Sequence, residues 1–454
     1  MVIEKAVLRV RLHGSGQCNR ALGALICRLI GVLLGGLLGR VTPAYTASMP
    51  IRLPAVSARH LTDLRGATRL AADATLGLAD LVEAMHERIV TLPGAAQDGR
   101  MSGVLGITGL VYRSIRGVTR LVGGSADALL GAVGQLTPML PPAGAPVSRE
   151  REAVVAALNG VIGDHLVERG NPLATAMSLR HEGRALALDA ASLRQALPAT
   201  GRLVLLVHGL CMNDLQWQRD GHDHGAMLAR ELGFTAVYLR YNSGRAVHTN
   251  GVELSGLIEQ LLAAWPVPLQ RILLLGHSMG GLVLRSALHH GARSGLAWPA
   301  RVDELVCMGT PHHGAPLERA GHGLDILLGA APYAAPLARL GKMRSAGIVD
   351  LRHGNLLPPR HGADGRLLPP ASVPLPAHIK SYALAAQVGN SAGALKGRVL
   401  GDGLVPVSSA LGLHARPARA LGFAPARQAV LQGMNHLELL CRPEAAEQLL
   451  RWLR

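Results

Sequence analysis

Apolar and polar positions change rhythm near residue 177. Before it, over roughly 60–170, apolar residues recur at helical spacing. Leu78, Leu81, Val82, Met85 and Ile89 fall at i, i+3, i+4, i+7 and i+11, one face of a helix. Val111, Ile115, Val118 and Val122 line one side of a second helical segment, with Arg113, Arg116 and Arg120 on the other. A third helix is predicted over 149–168. Gly66, Gly77, Gly106, Gly109 and Gly117 weaken these helices locally but allow close packing. "LPPAGAP" (140–146) reads as a linker.

From 177 short aliphatic runs alternate with amphipathic ones. "MSLR" and "RALAL" flank a His-Glu-Gly turn and predict a hairpin. Strands are then expected at 202–209, 235–242, 271–278, 302–311, 379–386 and 428–432. Helices are expected at 224–232, 251–265 and 279–292, with one more at the end of the chain. This order predicts βαβ units, and so an α/β domain with a mostly parallel sheet covered by helices on both faces. Ligands of such sheets bind beyond the carboxyl ends of the strands. The organisation expected is a segment 1–48, an all-helical N-terminal region 49–176, and an α/β domain 177–454 with a cap insertion at about 315–375.

Residues 1–48 carry Arg9, Arg11 and Arg20 ahead of an apolar stretch at 21–39, as a signal peptide or anchor would. Arg28 interrupts that stretch, which is costly at mid-bilayer, and no clean A-x-A cleavage region follows. The other readings are an extension ahead of a true start at Met49, and ordinary soluble structure. Location is accordingly expected to be cytoplasmic or membrane-associated, with secretion the outcome if the leader is genuine.

Composition narrows the classes. The net charge is +16, but the basic residues are nearly all arginine, with lysine only at 5, 342, 380 and 396. Phe234 and Phe423 are the only phenylalanines. Stacking aromatics and basic runs are missing, so nucleic acid is not an expected partner. A membrane surface is the better candidate for a basic face, and the helix near 104–122 is the candidate segment. Cysteines at 18, 27, 211, 307 and 441 are odd in number and show no metal-ligand spacing, which points to a reducing compartment. The sequence does not give an oligomeric state.

The chemistry centres on Gly276-His277-Ser278-Met279-Gly280, a G-x-S-x-G between an aliphatic strand and an apolar-periodic helix. A sharp turn there needs small neighbours and lifts the serine hydroxyl above the sheet. In a chain with 55 glycines the pattern alone is weak, and a plain turn serine is the bland alternative. Serine attacks only with a base to take its proton and an acid to orient that base, here expected in the order Ser, Asp/Glu, His. Asp402 in "GDGLVPVSS" and His436 in "GMNHLELL" each follow a predicted strand in that order. Asp350 is the rival acid. A turn aspartate and a capping histidine are the bland readings of Asp402 and His436. Two backbone donors are expected to receive an oxyanion: Met279 N–H, and Leu210 or Cys211 N–H in the loop opened by His208-Gly209. His312 and His313 follow the next strand and are candidate pocket lining. With "GHDH" (221–224) they fit no standard metal site, and no metal or organic cofactor is expected.

Together "VHGLCMNDLQW", "GHSMGGLVLRSA", "MGTPHHGAPLERAG", "GDGLVPVSS" and "NHLELL" resemble the α/β-hydrolase superfamily, over roughly 178–454. They are most similar to bacterial triacylglycerol lipases and esterases and to PGAP1-like inositol-deacylase-like proteins. The resemblance implies an α/β-hydrolase fold and cleavage of an ester or lipid substrate through an acyl-enzyme. It implies Ser278 as nucleophile, Asp402 as acid, His436 as base, and the His-Gly loop backbone in the oxyanion hole. It also favours the Met49 start. An acyltransferase, phospholipase or polyester depolymerase would use the same residues, and a non-catalytic binding protein with a vestigial fold is the alternative of another class. Residues 323–342 are expected to form a helical cap over Ser278, and 356–370 a mobile loop.

Overall fold

The structure is a computed structural model that describes residues 61–76, 116–128, 130, 148–315, 345–361, 366, 368, 371–389 and 401–454. The leader at 21–39, the helix face at 78–89 and the cap segment at 323–342 lie outside the described residues. In the N-terminal region helices span 61–76 (α1), 116–128 (α2) and Arg149–Glu168 (α3). Arg65 and Arg69 of α1 both donate to Asp127 Oδ1 of α2 at 2.6 Å. Asn171, just after α3, donates to the Gly66 carbonyl at 3.0 Å, tying α1 to the start of the sheet domain.

Strands β1 (Ser178–His181) and β2 (Arg184–Ala185) form the predicted hairpin, with Glu182 and Gly183 at positive φ in the turn. There follow α4 (Ala190–Ala196), β3 (Arg202–Val207), α5 (His224–Leu232), β4 (Thr235–Arg240), α6 (Val247–Ala264), β5 (Arg271–His277) and α7 (Met279–Arg293). The chain continues through β6 (Glu304–Met308), α8 (Ala346–His353), β7 (Lys380–Gln387), β8 (Gln428–Gln432) and α9 (Pro443–Leu453). The sheet order is β2-β1-β4-β3-β5-β6-β7-β8. Both β1 pairings are antiparallel and every other pairing is parallel.

At its centre the sheet is buried on both faces because β3, β5, β6 and β7 carry apolar residues at nearly every position rather than at alternate ones. Leu203, Leu205 and Val207 of β3 pack with Ala157 and Val161 of α3, Leu254 of α6 and Leu282 of α7. Val204 and Leu206 point the other way, toward Leu228 of α5 and Leu449 of α9. β5 divides in the same manner: Ile272 and Leu274 on one side, Leu273 and Leu275 on the other.

Two expectations need adjusting. Helix α6 starts at Val247, four residues before the expected start. Its first N–H is capped from far away in sequence, by Asp350 Oδ2 at 2.8 Å. The segment expected to be a mobile loop begins at a fixed point: Leu356 is buried and its carbonyl accepts from Ser286 Oγ at 2.8 Å. Among the described residues no helix is long and apolar enough to cross a membrane.

Candidate active site

The parallel strands end nearly flush. Val207 is level with Gly276, His277 with Met308, Met308 with Leu384, and Gln387 with Gln432. The loops leaving β3, β5, β6, β7 and β8 therefore meet at one edge, and Ser278, Asp402, His436 and the His208–Cys211 segment all lie there.

Between β5 and α7 the chain reverses through Ser278, at φ 56° and ψ −125°. A non-glycine residue there stores strain of about 1–3 kcal/mol. The turn closes only because its neighbours lack side chains. A Cβ on Gly280 would sit 2.0 Å from the Val207 carbonyl oxygen, and one on Gly276 would sit 2.6 Å from the Gly281 nitrogen. Ser278 N–H donates to the Met308 carbonyl at 2.8 Å, which pins the turn to β6. Ser278 is buried and its Oγ has no hydrogen-bond partner.

His436 follows β8 and is completely buried. Its Nδ1 bonds Asp402 Oδ2 at 2.7 Å, while its Nε2 has no partner. Asp402 is fixed from several sides. Its Oδ1 accepts the N–H groups of Leu404 and Val405 at 3.0 and 2.8 Å, and its carbonyl accepts His436 N–H at 3.0 Å. A carboxylate oxygen accepting at Nδ1 selects the tautomer with the proton on Nδ1, leaving Nε2 as acceptor. Ser278 and His436 are not hydrogen-bonded to each other, but they share neighbours. Beside Met308, which holds Ser278, a Cβ on Gly309 would stand 3.1 Å from His436 Cε1 and 3.2 Å from its Nδ1. The rings of His277 and His436 are 4.8 Å apart, and His277 Nε2 bonds the His436 carbonyl at 3.1 Å. Burial holds His277 well below the usual imidazole pKa, with the neighbouring His436 adding to the effect, so it is a neutral donor. Trp217 meets the His277 ring edge-on from the β3–α5 loop.

Asp350 is not the partner of His436. Its Oδ2 caps Val247 and its Oδ1 accepts from Asn355 Nδ2 at 3.0 Å. Burial raises its pKa above the ordinary aspartate value.

The loop after β3 comes against the serine. A Cβ on Gly209 would lie 3.0 Å from Ser278 Cβ and 3.4 Å from its Oγ. His208 stacks on Tyr241 with ring centroids 4.4 Å apart, and Tyr241 Oη donates to the His208 carbonyl at 2.9 Å. Burial lowers the His208 pKa to about 3. Of the two candidate donors in this loop, Cys211 N–H is already engaged by Ser243 Oγ at 3.1 Å. Neither Leu210 N–H nor Met279 N–H has a partner among the described residues. Met279 opens α7, whose first N–H groups are unpaired by helix geometry.

The two histidines after β6 separate. His312 is buried, takes a bond from Arg285 Nη1 at 3.1 Å and lies 5.4 Å from the Phe423 ring. His313 lines a cavity of about 780 Å³ with Gly314, Arg352, His353, Pro406 and His414. In "GHDH", His222 Nε2 bonds His224 Nδ1 at 3.0 Å, and His224 Nε2 reaches the Leu439 carbonyl at 2.9 Å. Among the described residues no group of three or more His, Cys, Asp and Glu is placed to hold a metal ion.

Residues 198–333 match a family model described as the PGAP1-like alpha/beta domain. That segment is similar to PGAP1-like domains, and the mostly parallel eight-stranded sheet around it has the α/β-hydrolase fold. No curated protein matches the chain. Among solved structures, a mature Bacillus licheniformis lipase is similar over 61% of this chain and 97% of its own, at 18% identity and a TM-score of 0.37. A Pyrococcus furiosus esterase is similar over 56% of this chain and 80% of its own, at 13% identity and a TM-score of 0.32.

Sequence reasoning on the α/β domain missed several supporting residues: Ser243, which holds Cys211; Tyr241 under His208; Gly309 beside His436; and His277 as a donor to the His436 carbonyl. The "NSG" turn after β4 and the "GTP" turn after β6 were the available signals.

Proposed function

We propose that this chain is a serine hydrolase that cleaves carboxylic esters through an acyl-enzyme on Ser278. One observation carries the reading. At the buried carboxyl edge of the sheet, a serine hydroxyl and an imidazole nitrogen both lack partners, and the other nitrogen of that imidazole is bound to a fixed carboxylate. Leaving a buried polar atom unpaired costs about 1–3 kcal/mol, so two such atoms on loops that share Met308, Gly309 and His277 as neighbours fit groups reserved for a reaction.

In the proposed mechanism His436 Nε2 takes the proton from Ser278 Oγ as the oxygen attacks the ester carbonyl. Asp402 holds the imidazole tautomer and stabilises the imidazolium. The developing oxyanion is received by Met279 N–H and Leu210 N–H. Losing one such donor costs about 3–4 kcal/mol in the transition state. The imidazolium returns its proton to the leaving alcohol. Water, deprotonated by the same imidazole, then cleaves the acyl-serine. The chemistry calls on protein groups alone.

Mass-spectrometric mapping after fluorophosphonate treatment should place the label on Ser278. A chain-length series of p-nitrophenyl esters should be turned over by wild type and not by Ser278→Ala. A folded wild type that neither labels nor hydrolyses any ester sinks the reading in favour of a vestigial hydrolase fold. Product analysis with competing alcohols separates hydrolysis from acyl transfer.

A second reading concerns location. Val118, Leu121 and Val122 of α2 are exposed at 61%, 70% and 62%, beside the exposed Arg120. Apolar residues one turn apart with a neighbouring cation suit the surface of an anionic membrane, and a lipid ester would be presented there.

A further inference from the structure

Helix α3 precedes the sheet in sequence yet packs against the loop that carries Leu210 and Cys211. It has a strip without side chains. A Cβ on Gly160 would lie 2.3 Å from Cys211 Sγ and 2.9 Å from both Cys211 N and Cα. The approach is therefore backbone to backbone, and no ordinary residue fits at 160. One turn on, Gly163 meets the loop after β4: its carbonyl accepts Asn242 Nδ2 at 2.9 Å, and a Cβ there would stand 1.9 Å from Asn242 Oδ1. That loop also holds Ser243, whose Oγ takes Cys211 N–H. On its other side α3 is held by Ser345, whose Oγ donates to the Gly160 carbonyl at 2.7 Å.

Cys211 shows the effect of this packing. It adopts φ 61°, a left-handed conformation that a side-chain-bearing residue takes only when its surroundings dictate it. Gly160 lies against it and Ser243 fixes its N–H. A second tether runs through charges. Glu152 of α3 pairs with Arg240 of β4, and Arg240 pairs with Asp214 in the same loop as Cys211. Arg180 of β1 joins from the far side, Nε to Asp214 Oδ2 at 3.1 Å. The loop between β3 and α5 is thus gripped by α3 at two points that bracket residues 211–214.

We propose that α3 sets the geometry of the oxyanion loop, with Gly160 as a positioning residue whose missing side chain lets the Cys211 backbone seat and so aims the Leu210 N–H at the reacting carbonyl oxygen. The inference rests on the ester-hydrolase reading of Ser278 and deepens it. Gly160 touches no substrate and acts through Cys211. The helical region before the sheet then belongs to the catalytic unit, which accords with Val56–Arg454 forming one compact unit.

The test uses the full chain carrying Gly160→Ala, with folding checked by thermal melt. The loop shift should lower kcat for p-nitrophenyl butyrate about 10- to 100-fold and leave KM within about threefold, because the lost interaction is made in the transition state. Inhibition by phenylboronic acid, which forms a tetrahedral adduct, should weaken in parallel, and the pH dependence of kcat should keep its midpoint. Cys211, buried and with its thiol pKa pushed up to about 12, resists iodoacetamide in wild type and should become alkylated in the variant, read by peptide mapping. Adding Cys211→Gly removes the atom nearest the new methyl, suits the positive φ, and should restore part of kcat. A folded Gly160→Ala with wild-type kcat and boronate affinity overturns the proposal. If that variant does not fold, Glu152→Gln takes its place. A drop in kcat of about two- to fivefold at constant KM then supports the proposal, and a folded Glu152→Gln with wild-type kcat overturns it. Inactive wild type that fails to label at Ser278 overturns the ester reading itself, a result distinct from any effect confined to Gly160→Ala.

Discussion

Asp402 Oδ2 and His436 Nδ1 are 2.7 Å apart, both buried, and Asp402 Oδ1 is separately occupied by two backbone N–H groups. The carboxylate cannot rotate away without losing those bonds, so its hold on the imidazole is built into the loop. Asp402→Asn should present an amide to Nδ1, favour the wrong tautomer and lower kcat by about 10³- to 10⁴-fold with the fold intact. Asp350→Asn, which alters a helix cap instead, should change kcat by less than about threefold while lowering the melting temperature. Steady-state kinetics on both variants checks the assignment. Equal losses in the two would remove Asp402 from its role.

Gly209 abuts Ser278, the proposed nucleophile. A methyl at 209 would press on Ser278 Cβ at 3.0 Å, inside ordinary contact. Gly209→Ala should reduce kcat/KM by about 10- to 100-fold, the scale expected when a reacting group is displaced by a fraction of an ångström. Fluorophosphonate labelling of Ser278 should slow by a similar factor. A variant that labels at the wild-type rate would show that the loop yields freely.

Acid should destabilise this protein earlier than its carboxylates alone would. Burial lowers the pKa of His224 to about 4 and that of His208 to about 3, and holds His277 and His312 well below the ordinary 6.5. Below pH 6.5 the unfolded chain takes up protons at these positions and the folded chain does not. Unfolding free energy is therefore fully retained above 6.5 and falls as pH drops toward 4, by up to about 1.4 kcal/mol per pH unit for each such histidine. Urea titrations at pH 7.5 and 5 should show the decline. His224→Gln, which keeps a donor near the Leu439 carbonyl, should flatten it by about one proton. An unchanged slope would refute the assignment of His224 as neutral.

Membrane attachment through α2 is separable from chemistry. Replacing Val118, Leu121 and Val122 with serine should reduce co-flotation with phosphatidylserine-containing vesicles and leave turnover of soluble p-nitrophenyl esters unchanged. Unaltered flotation would exclude this face as the contact.

The sheet, and the placing of Ser278, Asp402 and His436 just beyond strand ends, were legible because each depends on local pattern. Aliphatic runs marked β3, β5 and β6, and the helix His224–Leu232 agrees with its sequence limits. Asp402 and His436 stood out by following strands in a set order. What could not be read was anything fixed by contact across the sequence. The start of α6 is set by Asp350, about a hundred residues away, and the Cys211 N–H is taken by Ser243. The link between α3 and the Cys211 loop was hidden for the same reason: Gly160 looks in sequence like a weak point in a helix, and only its neighbour across space explains it.

The backbone angle at Ser278 belongs to a region that glycine enters at little cost, in a chain with fifty-five glycines to spare. Ser278→Gly would relieve about 1–3 kcal/mol of strain against an entropic penalty of about 0.5–1 kcal/mol, a net gain in thermal endurance. If Ser278 has the proposed role, directed evolution for heat tolerance alone would therefore drift toward survivors without turnover, and such a campaign needs activity as a co-selected trait.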